Sequence, residues 1–278
     1  MARQRLTLPE AAEELGVHYM TAYRYVRTGR LPAKRVGGAW EIDPQDLRLV
    51  RPSGPGVRRR PPNGPAPSGP GLQARLVAGD EAGAWTLLEA ALASKMTAAD
   101  LLLELIAPTL RAIGTRWERG ELSVADEHRA SAVATRLISR LGARFARRGV
   151  KRGTVVLAAA PGELHALPIA IAANLLRWQG FDVVELGADT PAEALAEAAA
   201  GEPELVAVGI ACTYGDGGRS IRRAVALVHG ACPGIPVLLG GAAIADQEHA
   251  RKLGADLFTG AQADEVVRAV ETIVAAKR

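Results

Sequence analysis

The 278-residue chain predicts a multidomain α and α/β protein: a winged helix-turn-helix head, a four-helix bundle, and a doubly wound, flavodoxin-like (Rossmann-like) α/β domain. Three observations carry this. Positive charge gathers at the N-terminus. A segment at 51–71 has almost no large apolar side chains. Beyond residue 149 the apolar pattern changes from a helical period to short runs that alternate with helices.

The head occupies residues 1–50. In "LTLPEAAEELGVHYMTAYRYVRTGRLPAKRVGGAWEI", Pro9 starts a helix with Ala11, Ala12 and Leu15 on one face. Gly16 makes a turn, and His18–Thr28 forms a second helix that ends at Gly29-Arg30-Leu31-Pro32. "AKRVGGAWEI" then reads as two short strands about Gly37-Gly38. This order is that of a winged helix-turn-helix. It resembles the excisionase/MerR type of DNA-binding domain over nearly all of residues 6–50. The resemblance implies that His18, Tyr19, Thr21, Arg24 and Arg27 face the major groove of operator DNA. Lys34 and Arg35 on the wing would reach phosphates or the minor groove. A small helical domain with a solvated basic face is the plainer alternative. One such module buries little DNA surface, so tight binding calls for a homo-oligomer, a dimer or tetramer, on repeated half-sites.

Charge supports this division. Residues 1–60 hold twelve Lys/Arg against six Asp/Glu, a net of +6, while the whole chain is +4, so residues 61–278 sum to −2. Residues 51–71 contain seven of the 17 prolines and five glycines, which predicts a flexible linker.

Residues 72–148 predict four helices. Thr97…Asp100 and Ser123…Asp126 are capping pairs, each followed by apolar residues at helical spacing, and Gly120 separates the two runs. Two shorter helical stretches fill 72–94. Residues 149–278 predict five strands, at 154, 181, 205, 235 and 255, alternating with five helices. Ligands of such sheets bind beyond the C-terminal strand ends, here small-residue segments that suit a large flat ligand.

No apolar run reaches the roughly 18–20 residues that span a bilayer, and the N-terminus has no signal-peptide core. Only Cys212 and Cys232 are present, giving neither a disulfide framework nor a CxxC site, so a reducing cytoplasm is expected. No nucleophile–base arrangement points to an enzyme.

One histidine stands in the turn after the first α/β strand, in "PGELHALPIAI". Glu163 precedes His165 by two residues, placed to orient the ring as carboxylates do for metal-bound histidines. The segment resembles the cobalamin-binding domain of methionine synthase and corrinoid proteins, whose pattern is D-x-H-x-x-G, S-x-L or S-x-T, then G-G. The matching positions are Glu163-Leu164-His165-Ala166-Leu167-Pro168, Ala211-Cys212-Thr213 and Gly240-Gly241. The resemblance implies that His165 ligates cobalt from below and that the benzimidazole tail fills a slot lined by Ala211, Thr213, Gly240 and Gly241. Pro168 in place of glycine suits a first helical turn. Ala211 in place of serine removes any hydroxyl relay to Glu163.

"RWERGELSVADEHRAS" carries Trp117, Val124, Glu127 and His128. Singly, these are a core tryptophan and a charged helix start. In order, they resemble the cap of CarH/LitR-type light-dependent repressors. Three domains in that order imply a MerR-family transcriptional repressor with adenosylcobalamin as light-sensing cofactor. In that family the Trp leaves room for the adenosyl group and the Glu-His pair contacts it. A second histidine directly after the Trp takes the upper face of cobalt after photolysis; here that position is Glu118, so water or His128 takes that place. A light-independent cobalamin or redox sensor, or a corrinoid methyl carrier, are the alternatives.

Overall fold

Five short apolar runs become five parallel strands: β4 (Thr154–Ala159), β5 (Asp182–Gly187), β6 (Leu205–Ala211), β7 (Val237–Gly240) and β8 (Leu257–Phe258). The computed structural model describes residues 5–15, 22, 25–26, 31–36, 39–50, 69–147, 149–213 and 218–276. The sheet order is β5-β4-β6-β7-β8, so the chain runs out from β4 in both directions. This reversal places a crevice at the C-terminal ends of β4 and β6, where such sheets take ligands. β4 and β7 are buried along their whole length, which is why they read as unbroken apolar runs.

Helices α7 (Leu167–Trp178), α8 (Ala192–Ala200), α9 (Gly218–Ala231), α10 (Gln247–Lys252) and α11 (Ala263–Ala276) connect and cover the strands. Two apolar cores result. One lies beneath α8 and α9. The other, on the α7 and α11 side, is shared with the preceding helical region.

That region contains α2 (Gly69–Ala78), α3 (Glu81–Ala93), the short α4 (Ala98–Asp100), α5 (Ala107–Glu118) and α6 (Val124–Leu141). α2 begins inside the stretch expected to be linker: Pro70 sits in its first turn, where proline is tolerated. Both predicted capping boxes form, Thr97 with Asp100 and Ser123 with Asp126. Between α4 and α5, Leu101–Ile106 widens to π-helical hydrogen bonding, just ahead of Pro108. Proline lacks the N–H and crowds the carbonyl four residues back, so the α ladder cannot run through unchanged.

The Ser123 cap sets where α6 starts, and hence where Glu127 and His128 stand. Ser123→Ala is expected to cost about 1 kcal/mol of stability, read as a lower melting temperature. Asp126 is partly buried, which works against its charge, yet hydrogen bonds from Ser123 and Arg129 hold its carboxyl below the ordinary aspartate value. Its contribution is therefore present at neutral pH and fades as pH falls through that lowered value.

In the head, β1 (Leu6–Thr7) precedes α1 (Leu8–Leu15), and β2 (Ala33–Val36) and β3 (Ala39–Ile42) pair antiparallel with β3 in the centre. Leu8, Ala11, Ala12 and Leu15 share a core with Ala22, Tyr25, Val26 and Ile42. Ala22, Tyr25 and Val26 follow the spacing of one helical face. Lys34 is exposed on β2 opposite Glu41. His18, Tyr19, Thr21, Arg24 and Arg27 lie outside the described residues, as does the side chain of Arg35.

Candidate functional site

β4 ends at Ala159, and a tight turn carries Glu163 and His165 before α7 begins at Leu167. Gly162 adopts a left-handed φ of 84°, and its N–H donates to the Asp189 carboxylate at 2.7 Å. The Asp189 N–H in turn donates to the Glu163 carbonyl at 2.7 Å. Asp189, beyond the end of β5, thus fastens the turn from a neighbouring strand. Nothing in the local sequence of the turn signals this partner, 27 residues away.

The Glu163 side chain is 1% exposed, whereas that of His165 is 55% exposed. One carboxylate oxygen of Glu163 accepts from the His165 N–H at 2.9 Å and pairs with its Nδ1. The other accepts from the Thr213 N–H at 2.6 Å and its hydroxyl at 2.7 Å. Burial opposes the charge of Glu163, but the bonds from His165 and Thr213 outweigh it, and its carboxyl stays below the ordinary glutamate value. The carboxylate is a fixed, ionised orienter of the imidazole.

This corrects the expectation drawn from Ala211. The hydroxyl relay to Glu163 is present, supplied by Thr213, whose Oγ1 also lies 3.0 Å from His165 Nδ1. β6 ends at Ala211, and the backbone brings the residue two positions later into reach.

His165 opens onto a cavity of about 870 Å³ between the sheet and the helical region. That is near the upper end of ligand pockets, which span about 300–1,000 Å³. His165, Ala211, Thr213, Gly240 and Gly241 line the sheet side; Trp117, Glu118, Glu127 and His128 line the helical side. Val124, half-buried at the first position of α6, is not on the wall. Trp117 is held at the end of α5 by a Schellman closure: Gly120, with φ 74°, donates to the Trp117 carbonyl and Glu121 to that of Arg116. Glu127 accepts from the Ser131 hydroxyl at 2.7 Å and pairs with His128 Nδ1 at 2.5 Å.

Three glycines shape the sheet side for close approach. A Cβ on Gly209 would strike Leu157, and one on Gly240 would meet Thr259 Oγ1 and the Gly260 carbonyl. Gly241 has a φ of 105°, and its Cβ would fall on the Cys212 carbonyl. Gly209 and the Thr259–Gly260 segment were not singled out by sequence motifs. Their signal is strand-end position alone.

The donor set suits a metal that arrives already coordinated. With Nδ1 tied to Glu163, the nitrogen that a metal would take on His165 is Nε2. Among the described residues no cluster of three or more His, Cys, Asp or Glu suits a metal ion. A lone histidine beside small-residue walls fits a metal held by a macrocycle, and His165 is the residue that would hold it.

Models described as "B12 binding domain" match residues 71–141 and 153–270, and a helix-turn-helix domain model matches residues 5–49. The HTH-type transcriptional repressor CarH of Myxococcus xanthus is 37% identical over 161 residues, 56% of this chain and 52% of that protein. The chain therefore combines a helix-turn-helix domain with B12 binding domains, as its similarity to that repressor leads one to expect. Trimethylamine corrinoid protein 1 of Methanosarcina acetivorans is 31% identical over 123 residues, 44% of this chain and 56% of that protein. The chain thus spans about half the length of these two curated relatives. The structure of Methanosarcina barkeri monomethylamine corrinoid protein shares the fold, with a TM-score of 0.63, 20% identity, and coverage of 72% of this chain and 96% of that one. Among the described residues no helix is long and apolar enough to cross a membrane.

Proposed function

We propose that the chain is a cytoplasmic, DNA-binding transcriptional repressor that uses adenosylcobalamin to sense light. The observation that carries this is the cavity: an ionised carboxylate–imidazole pair stands on its sheet side and Trp117, Glu127 and His128 on its helical side, in a chain with a helix-turn-helix domain. When bound, adenosylcobalamin supplies a cobalt–carbon bond that visible light breaks.

On this reading His165, held by Glu163 and Thr213, would ligate the cobalt. The slot among Ala211, Thr213, Gly240 and Gly241 takes the benzimidazole tail. The helical region acts as a four-helix cap, with Trp117 making room for the adenosyl group and Glu127 and His128 contacting it. The position of that cap governs homo-oligomerisation to a dimer or tetramer. Oligomerisation places winged heads on repeated half-sites of operator DNA. The adenosyl group is then the effector, and its loss shifts the population to a form that releases DNA.

With adenosylcobalamin in darkness, the protein is expected to elute as a larger oligomer and to retard promoter DNA; illumination should undo both. Unchanged elution and DNA affinity after illumination would remove light from the mechanism. A light-independent reading gains support if apo, methylcobalamin-loaded and adenosylcobalamin-loaded protein differ in DNA binding in darkness alone. The likeness to corrinoid proteins favours a second reading, a methyl carrier, which would show methyl transfer without sequence-specific DNA binding.

A further inference from the structure

Gly114 lies within α5, on the stripe Ala107, Leu110, Arg111, Gly114, Thr115 and Glu118 that lines the cavity at helical spacing. Glycine weakens a helix interior relative to alanine, so its presence there calls for a reason. The chain itself offers none. Gly114 is not among the residues with positive φ, and a Cβ built on it meets nothing within 4 Å.

The other cavity glycines contrast with it. Gly209, Gly240, Gly241 and Gly260 each have atoms within about 3.0 Å of a built Cβ, backbone among them at Gly240 and Gly241, so the chain itself gives a reason for glycine there. Gly230 also has open space around it, but it is exposed near the end of α9 and off the cavity wall. Gly114 alone among the described glycines combines a mid-helix position, a place on the cavity wall and unfilled space beside it. It sits one turn before Trp117 and Glu118, on the wall opposite His165.

We propose that Gly114 is a specificity-determining residue: its missing side chain reserves volume for the upper-face group of the bound cobalamin and so admits a bulky group. This rests on the reading above that cobalamin fills the cavity with His165 beneath it. The selection is steric. A branched side chain at 114 would occupy the reserved space, penalise a nucleoside-sized upper group, and leave a small one unaffected. No contact with the sheet, with Glu163 or with His165 changes.

The test uses the full chain with Gly114→Ala and Gly114→Leu, in darkness. Affinities for adenosylcobalamin and hydroxocobalamin are measured by absorbance titration, and the apo proteins are melted. Gly114→Leu is expected to bind hydroxocobalamin like the parent and adenosylcobalamin about tenfold or more weakly, with Gly114→Ala in between. Apo melting temperatures should hold or rise, because the chain does not need glycine there. Equal loss of both cobalamins, or no loss of either, overturns the proposal. So does a lower apo melting temperature in Gly114→Ala, which would show that the fold itself requires the glycine. If the parent chain binds neither cobalamin, the underlying reading fails along with it. If the parent binds hydroxocobalamin but not the adenosyl form, the adenosylcobalamin reading fails as well; if it binds both and the variants do not discriminate between them, only the assignment of Gly114 fails.

Discussion

Replacing His165 by alanine is expected to weaken cobalamin binding by more than the roughly 10–100-fold associated with losing a group that merely supports a metal ligand. Among the described residues, His165 is the one histidine on the sheet side of the cavity. Glu163→Gln belongs inside that range, for a different reason. Each carboxylate oxygen now accepts two bonds, one oxygen from His165 and the other from Thr213. An amide has one acceptor oxygen, so one set of donors would face an NH₂ group, an arrangement that costs about 1–3 kcal/mol per unpaired buried group. Titration with hydroxocobalamin, followed by absorbance, separates the two. His165→Ala changes the spectrum of the bound form as well as the affinity; Glu163→Gln changes mainly the affinity. Parental affinity and spectrum in His165→Ala would exclude the lower-ligand role.

Gly241→Ala should be among the most damaging single-methyl additions in the chain, costing about 3 kcal/mol. Two penalties coincide. A φ of 105° is unfavourable for any residue with a Cβ, and that Cβ would lie on the Cys212 carbonyl. The Ala243 N–H donates to this same carbonyl at 3.1 Å, so the backbone cannot move aside without breaking a bond. For a unit of about 200 residues the loss corresponds to a drop of roughly 6–12 °C in melting temperature. Gly114→Ala adds the same methyl to the same cavity and should not lower the melting temperature. An unshifted Gly241→Ala melt would contradict the close packing of the β6 and β7 ends.

The strands were legible because a parallel sheet buried on both faces leaves contiguous apolar runs, and all five are found. Capping pairs and Gly120 marked the helix ends because each acts through its own backbone. What escaped depends on groups distant in sequence or on composition that points two ways. Thr213 replaces a motif serine from two residues away, through the path of the backbone. Asp189 reaches the 160–166 turn across a strand. Gly69-Pro70-Gly71 has the composition of a linker, yet proline is at home in a helix's first turn, and α2 starts there. The π-helical stretch before Pro108 leaves no mark in apolar spacing, since Leu101, Leu102, Leu105 and Ile106 are buried either way.

The core shared by the helical region and the α/β domain bears on how the proposed signal would leave the cavity. Leu141 and Phe145 belong to the same buried cluster as Ala173, Leu176 and Phe181, and Phe145 meets Trp178 edge-on at 6.1 Å. Lifting the helices from the sheet would wet that seam at about 25 cal/mol for each Å² of apolar surface. The helical region and the sheet are therefore expected to melt as one cooperative unit, and a small shear along this apolar seam would cost less than separation. On the proposed reading, such a slide would gain consequence where it is multiplied, at a junction between protomers with two discrete packings.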